Sequence, residues 1–567
     1  MRTVVVFFVV CVAVACAGKK ADADWWKSMS LYQIYPRSFK DSDGDGVGDL
    51  NGVISKIDYL KAIGVDAFWL SPINESPMAD FGYDASNFYE IDPLFGNMTD
   101  LENLIKVAHK WGLKVVMDYV PNHSSDEHEW FKKSVKGIKP YDDYYVWHDG
   151  KKLENGKTVP PNNWVSAVGG EAWQWNEERQ QYYLTQFTPR EPDLNFHNPL
   201  VRKEMEDILE WYANLGVDGF RIDSAAFLIE DPSFEDEPLT GLTNNTLDMN
   251  YVDRSKTKDQ PETYDIVSSW KRVLDKFNET KIIMIEAYTN WTSTMKYYDA
   301  GADMPFNFQL VTDIHKNSNA SDLKRIIDRW MDGMPKGSVA NWVAGNHDNP
   351  RMKSRLGPQI ARAATVMTQL LPGVAVTYNG DEIGMTDGPI SWEDTVDPLG
   401  CAAGKDGYKS TSRDPERTPF QWDRSTSAGF STNNKTWLPI NPNYKTVNVE
   451  SERKNPGSDY NMYLALSKLR KTSMVKNGQL ITMTTDNVLL IARKSDYDGA
   501  VYVAVNVGDK RTKVNMSVFN TRSQHAKPMR LYYSSPEYKA APKALATNRT
   551  IHLPPSAVVI YIDDYVF

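Results

Sequence analysis

Four segments of the chain carry acids, histidines and an arginine directly behind short apolar runs: Asp118-Tyr-Val-Pro-Asn-His123, Gly219-Phe-Arg-Ile-Asp223, Ile285-Glu286-Ala-Tyr288 and Gly345-Asn-His347-Asp348. An aspartate behind a strand is, taken singly, an ordinary turn or helix-capping residue. The conjunction carries the weight. Asp223, Glu286 and Asp348, with Arg221, His123 and His347 beside them, form the set that glycoside cleavage requires. One carboxylic acid protonates the leaving oxygen while another carboxylate attacks or stabilises the oxocarbenium-like carbon. A metallohydrolase would also use paired His and Asp, but His123 and His347 stand on separate runs and no two histidines have the His-x-x-x-His spacing of a zinc-protease helix.

A second acidic cluster, Asp41-Ser-Asp43-Gly-Asp45-Gly46-Val47-Gly-Asp49, places oxygen donors at alternate positions around a glycine, as an EF-hand loop does. Gly52 stands where such a loop needs its final Glu, so this is not an EF-hand pair, and a solvated Asp-Gly turn is the plain alternative.

The elements that must position these groups follow from periodicity. Apolar runs at 31–35, 67–70, 114–119, 219–222, 281–285, 306–310, 340–344 and 374–378 read as buried strands. Between them lie amphipathic helices: a stripe of Leu50, Val53, Ile54, Ile57 and Leu60 closed by Gly64, a Thr99/Glu102 capping box before Leu101, Leu104 and Ile105, and a helix opened by Asn198-Pro199 and closed by Gly216. Repeated strand–helix units predict an α/β fold, a (β/α)8 TIM barrel, in which polar residues just past the C-terminal ends of strands form the open catalytic face. The connection after the third strand, 123–195, is too long for an ordinary loop and reads as an inserted lid domain. The barrel then occupies 18–122 and 196–478, and alternating segments in 479–567 predict a C-terminal antiparallel β-sandwich domain.

The formal net charge of -10 excludes an electrostatic nucleic-acid binder. Val4 to Ala17 is an apolar run behind Arg2 that ends in Ala15-Cys16-Ala17, which reads as a secretory signal peptide over 1–17, too short for a membrane span. The expected product is a secreted extracellular protein without a membrane span, and nothing in the pattern sets its oligomeric state. Cys11 and Cys16 fall in the signal, which leaves Cys401 without a disulfide partner. The sequons Asn97, Asn244, Asn278, Asn290, Asn319, Asn434, Asn515 and Asn548 are candidate glycosylation sites; Asn74 and Asn122 also match but fall inside motifs placed at the active site.

At this point a resemblance becomes specific. GVDAFWLSPI (64–73), DYVPNH (118–123), EPDLN (191–195), GFRIDSA (219–225), IEAY (285–288), GNHD (345–348) and GDEIGM (380–385) run in the order found in the α-glucosidases of the α-amylase superfamily, glycoside hydrolase family 13, and resemble the insect maltases most. The resemblance implies Asp223 as nucleophile, Glu286 as general acid/base and Asp348 as the third, transition-state acid. It implies Arg221 as the group that orients Asp223, with His123 and His347 bonding the sugar in the −1 subsite. Tyr83 would form the floor of that subsite and Asp84 its hydroxyl anchor, with an arginine from Arg413-Asp-Pro-Glu-Arg417 as partner, either Arg413 or Arg417. It further implies a structural Ca²⁺ held by Asp41, Asp43, Asp45, the carbonyl of Val47 and Asp49. Ser224 after the nucleophile, where the family's α-1,6-specific members carry Val, implies α-1,4 preference: maltose, short malto-oligosaccharides and sucrose, cleaved from the non-reducing end. An inert scaffold or receptor relative and a transglycosylase or sucrose isomerase share the same frame.

Overall fold

The computed structural model describes residues 23–519, 528–539, 545–546 and 550–563. The signal segment with Cys11 and Cys16, and the sequon Asn548, lie outside these residues.

Eight parallel strands form one sheet rolled into a nearly closed barrel: β1 Ser30–Ile34, β2 Ala67–Leu70, β3 Lys114–Tyr119, β4 Gly219–Ile222, β5 Ile282–Ile285, β6 Met304–Pro305, β7 Asn341–Val343 and β8 Val374–Tyr378. The spatial order is β6-β5-β4-β3-β2-β1-β8-β7. Alternation decides what each strand buries. Leu31, Ala67, Trp69, Val116, Ile282, Met284, Val374 and Val376 point inward and pack with one another. Tyr32, Ile34, Phe68, Leu70, Val115, Phe220, Ile222, Ile283 and Ile285 point outward against the helices.

The sixth strand departs from the sequence expectation. The run 306–310 alternates like a strand, yet the ladder to β5 covers only Met304 and Pro305, and Gln309–Thr312 is already a helical turn. The reason lies in Asn341, fully buried at the start of β7. Its Oδ1 accepts the Asn307 amide at 2.8 Å and its Nδ2 donates to the Pro305 carbonyl, so one side chain does what a strand pair would do across this seam. Two helical expectations shift as well. The stripe from Leu50 to Leu60 is two helices, Leu50–Ile54 and Ile57–Ala62, and the helix Met98–Lys110 is capped by Asn97 and Asp100 in a reciprocal box rather than by Thr99 and Glu102.

Between β3 and β4 lies a small antiparallel sheet built from Trp147–His148, Gln181–Leu184 and Trp173–Asn176. It packs on its own apolar cluster of Val146, Trp164, Trp173, Tyr182 and Leu184. After the last helices a six-stranded antiparallel sheet begins at Gln479. One face, with Leu489, Ile491, Val501, Val503 and Ile560, packs on barrel helices through Ile326, Leu466 and Leu469. The other face, with Leu490, Ala504 and Tyr561, meets Val514, Ile551 and Leu553 of a two-stranded sheet, which gives the second layer. Among the described residues no helix is long and apolar enough to cross a membrane.

Candidate active site

The inward alternation of the strands turns polar at its last layer. Asp118 on β3 lies beside Arg221 on β4 in the parallel ladder, so both project into the mouth of the barrel, and Asp223, two residues on, projects the same way. The final ladder bonds run from Asp223 N to the Tyr119 carbonyl and from Glu286 N to the Ile222 carbonyl, both at 2.9 Å. The two acids therefore emerge immediately past the hydrogen-bonded strands, on the rigid part of the chain.

Arg221 is buried and organises the acids. Its Nη1 donates to Asp223 Oδ1 and to Asp118 Oδ1 at 2.9 Å, and its Nη2 lies 3.9 Å from Glu286 Oε2. The guanidinium sits over the Trp69 ring, 5.1 Å from its centroid. Glu286 Oε2 accepts the Ser224 amide at 2.7 Å, an orientation made possible by the left-handed backbone of Ser224 at φ 48°. Burial pushes the Glu286 carboxyl up to about 8; Arg221 and the Ser224 amide oppose the shift, and the neighbouring Asp223 and Asp348 add to it. Near neutral pH the pair thus offers a protonated carboxylic acid beside a carboxylate ion-paired to arginine, the division of labour that glycoside cleavage requires.

Asp348 is held far below the usual carboxylate range: burial works against its ionisation, but His347, Arg417, Arg413 and Arg221 outweigh it. Arg417 donates Nη2 to Asp348 Oδ1 at 2.9 Å and Nε to the His347 carbonyl at 2.7 Å. Arg413 reaches the same Oδ1 at 3.5 Å. The arginines divide here. Arg417 is wholly buried, whereas Arg413 lines the cavity, clamped by Asp80 at 2.5 Å and Asp397 at 2.6 Å.

Asp84 is a correction. Its carboxylate is fully buried and accepts Ser76 Oγ, the Ala79 amide and the Asp80 amide at 2.8–2.9 Å. It shapes the turn and leaves no face to a sugar; Asp80 is the acid that reaches the cavity. Asp80 stands in the same turn, three residues before Tyr83, and belongs to none of the motifs that single out the site in the sequence. His347 differs from expectation too. Its Nδ1 lies 2.8 Å from Gln33 Nε2, its Nε2 lies 2.6 Å from the Tyr83 hydroxyl, and its ring is stacked on Tyr83 with an interplanar angle of 8°. Both nitrogens thus have protein partners, and the ring supports Tyr83 from behind. Burial lowers the imidazole to about 3, so it is neutral.

Asp80, Tyr83, His123, Arg221, Asp223, Ser224, Glu286, Asp348 and Arg413 all border one cavity of about 360 Å³. Glu191, in the quoted EPDLN motif but given no role from sequence, borders it as well. His123 Nε2 and Glu191 Oε1 are buried without hydrogen-bond partners and stand 3.6 Å apart. Burial, with Asp80 next to it, pushes the Glu191 carboxyl well above its ordinary value. Two unpaired polar atoms at one spot on the wall form a socket for a hydroxyl that donates and accepts. Val168, Phe187, Met249 and Leu399 make another part of the lining apolar.

In the acidic loop, Asp41, Asp43 and Asp49 bring carboxylate oxygens within 4.8 Å of one another. Asp45 is not in that group; its Oδ1 accepts the Val47 amide at 2.7 Å. The donor set fits a hard cation in part, with three of the expected side chains assembled. Asp41 is held below its ordinary value: burial opposes this, but the Ser431 hydroxyl and the amides of Gly44, Gly46 and Asp43 prevail. The sequons Asn97, Asn244, Asn278, Asn290, Asn319, Asn434 and Asn515 are exposed. Asn74 and Asn122 are buried, with Asn74 Nδ2 bonded to the Phe88 carbonyl at 2.9 Å. Cys401 is exposed and free.

Residues 33–478 match the family described as the alpha amylase catalytic domain. The chain is 48% identical to an alpha-glucosidase of Apis mellifera over 97% of its own length and 96% of the relative's. It is 45% identical to Maltase 1 of Drosophila virilis, covering 88% and 80% of the two chains, and 47% identical to a salivary alpha-glucosidase of Anopheles gambiae, covering 86% and 84%. Among solved structures, the alpha-glucosyl transfer enzyme XgtA superposes with a TM-score of 0.82 at 32% identity, covering 95% of this chain and 99% of that one.

Proposed function

The chain belongs to the alpha-amylase catalytic-domain family and is a glycoside hydrolase of α-glucosidase type; from that premise we propose that it is a secreted, retaining, exo-acting maltase. It removes the terminal α-1,4-linked glucose from maltose and short malto-oligosaccharides, and accepts sucrose. The observation that carries this reading is the pairing of Asp223, held by Arg221, with a Glu286 carboxyl raised to about 8 in the same cavity.

Asp223 attacks the anomeric carbon as Glu286 delivers its proton to the leaving oxygen. The glycosidic C–O bond breaks and a covalent glucosyl-Asp223 ester forms. Glu286, now ionised, takes a proton from water, which displaces Asp223 and returns the α-anomer. Asp348, kept ionised by Arg417 and Arg413, bonds the sugar hydroxyls most strongly as the ring flattens. Asp80 and Arg413 close the far side of the terminal glucose, which supports exo action. Ser224 leaves room for an α-1,4-linked sugar beyond the cleavage point. Asp41, Asp43 and Asp49 would hold a structural Ca²⁺, which supplies charge neutralisation to that loop and no chemistry to the reaction. The salivary relative supports secretion.

NMR observation of glucose released from maltose tests the reading: initial α-glucose, abolished in Asp223→Asn, with maltose well ahead of isomaltose. Initial β-glucose, or no turnover of any α-glucoside, would overturn it. A second reading, glucosyl transfer to a sugar acceptor, is favoured by the likeness to a glucosyl transfer enzyme and by the apolar lining at Val168, Phe187, Met249 and Leu399. It predicts close to one trisaccharide for each glucose released at high maltose, where hydrolysis gives two glucose per maltose and no trisaccharide.

A further inference from the structure

Behind Tyr288 lies a second cavity, of about 470 Å³, walled by residues that follow β5 and β6 and by the helix Ala320–Gly333. Its size falls among small-molecule pockets, roughly 300–1,000 Å³. The active-site cavity and this one share Tyr288 as a wall. The Tyr288 ring is stacked on Phe308, centroids 4.2 Å apart and planes within 4°. Its hydroxyl accepts hydrogen bonds from Asn346 and Asn349 at 2.9 and 3.0 Å, and Asn349 itself borders the active site.

The lining has the chemistry that holds a neutral sugar. Trp291 borders it with the Arg329 guanidinium over its ring, 5.0 Å from the centroid, and the buried Phe306 and Phe308 complete an apolar wall, the kind of surface against which the C–H groups of a pyranose pack. Gln309 borders the cavity with its amide oxygen buried and unpaired, because its amide nitrogen is turned to Asn307 Oδ1. Lys258, Arg329 and Asp313 on the same wall can each bond a hydroxyl.

We propose that this cavity is a second saccharide site, taking a neutral glucoside such as maltose or a methyl glucoside. The choice of a glucoside rests on the glucosidase reading; the existence of the site does not. Tyr288, which borders both cavities, lies two residues beyond Glu286.

The test uses Thr292→Ala protein, which lacks the Asn290 sequon and keeps every lining residue, so that a glycan at the cavity's edge does not decide the outcome. Saturation-transfer NMR of methyl α-glucoside is recorded with the active site filled by deoxynojirimycin. The expected result is transfer that persists at saturating inhibitor and falls at least fivefold in both Trp291→Leu and Gln309→Leu, with inhibitor affinity unchanged within twofold in the milder Gln309→Leu. No transfer with the active site filled, or transfer unaffected by Gln309→Leu in a folded protein, overturns the proposal. The same spectra on Asp80→Ala, whose active-site anchor is gone, keep the measurement independent. If the inhibitor fails to bind at all, the glucosidase reading falls, and transfer lost with Gln309→Leu in the Asp80→Ala background still reports the second site.

Discussion

Asp80 and Asp84 stand four residues apart in one turn and divide two jobs that composition alone cannot separate. Asp84 spends its whole carboxylate on Ser76, Ala79 and Asp80; Asp80 holds Arg413 at the cavity wall. Removing Asp84 strands buried donors, a loss of about 1–3 kcal/mol for each group left unpaired, so Asp84→Ala is expected to lower the unfolding midpoint markedly. Asp80→Ala leaves Arg413 its Asp397 partner and is expected to cost about 10–100-fold in kcat/KM with a small change in midpoint. Urea denaturation and maltose kinetics on the two variants separate the roles, and the reverse pattern would return the anchor to Asp84. Glu286 sets the alkaline limb of the pH profile. A carboxyl raised to about 8 is protonated below that pH and loses its proton above it, so kcat/KM on maltose should fall on the alkaline side through about pH 8. Glu286→Gln should lower kcat on maltose by about 10²–10⁴-fold, and far less on α-glucosyl fluoride, whose leaving group needs no proton. The acids themselves were legible in the sequence, since an inward strand position that turns polar at its last layer has no core role. Which of two nearby acids faces a cavity was not legible, because hydrogen bonds from Ser76 and backbone amides decide it.

The strands and helices were largely written in the alternation of apolar residues, and the places where that reading slipped are places where a side chain replaces backbone pairing. The run from Phe306 has the pattern of a strand, but its partner at the seam is Asn341, which serves Asn307 N and the Pro305 carbonyl in place of a ladder. An Asn at the start of a short strand carries no such instruction. The same holds at Asn97, where the side chain that caps the helix Met98–Lys110 lies two residues before the box expected from Thr99 and Glu102. Asn341→Ala leaves one buried amide and one buried carbonyl unserved, an expected loss of about 2–5 kcal/mol. Because the seam borders Phe306 and Phe308, amide exchange should rise first in residues after β6, ahead of global unfolding. Exchange that rises uniformly over all eight strands would mean that the barrel loses stability as one unit and that Asn341 is no local clasp.

On the scale of the whole molecule, the acidic loop joins parts of the chain that sequence keeps far apart. Asp41 accepts Ser431 Oγ at 2.5 Å, Asn433 donates Nδ2 to the Gly44 carbonyl at 3.0 Å, and the Trp437 amide bonds the Gly46 carbonyl at 3.0 Å. Trp437 in turn reaches Ser38 Oγ through its indole nitrogen at 3.0 Å, and its ring lies 6.2 Å from that of Tyr35, which stacks on His347. Three carboxylates within 4.8 Å repel one another unless a cation neutralises them, and the repulsion would act on this seam between the first strand's loop and the segment after Trp422. A Ca²⁺ held there would bind the folded chain and not the unfolded one, so its removal should lower stability by mass action. We expect chelation to reduce the apparent melting temperature by about 2–5 °C. Asp43→Asn should melt at the chelated value and respond no further to Ca²⁺ or chelator. Since no cavity-lining residue belongs to the loop, kcat/KM on maltose at 25 °C, well below melting, should stay within twofold in every one of these states. Melting curves that superpose with and without Ca²⁺ would reduce the loop to a hydrogen-bonded turn, and a loss of kcat/KM without a loss of stability would mean that the path through Trp437 and Tyr35 carries strain to His347.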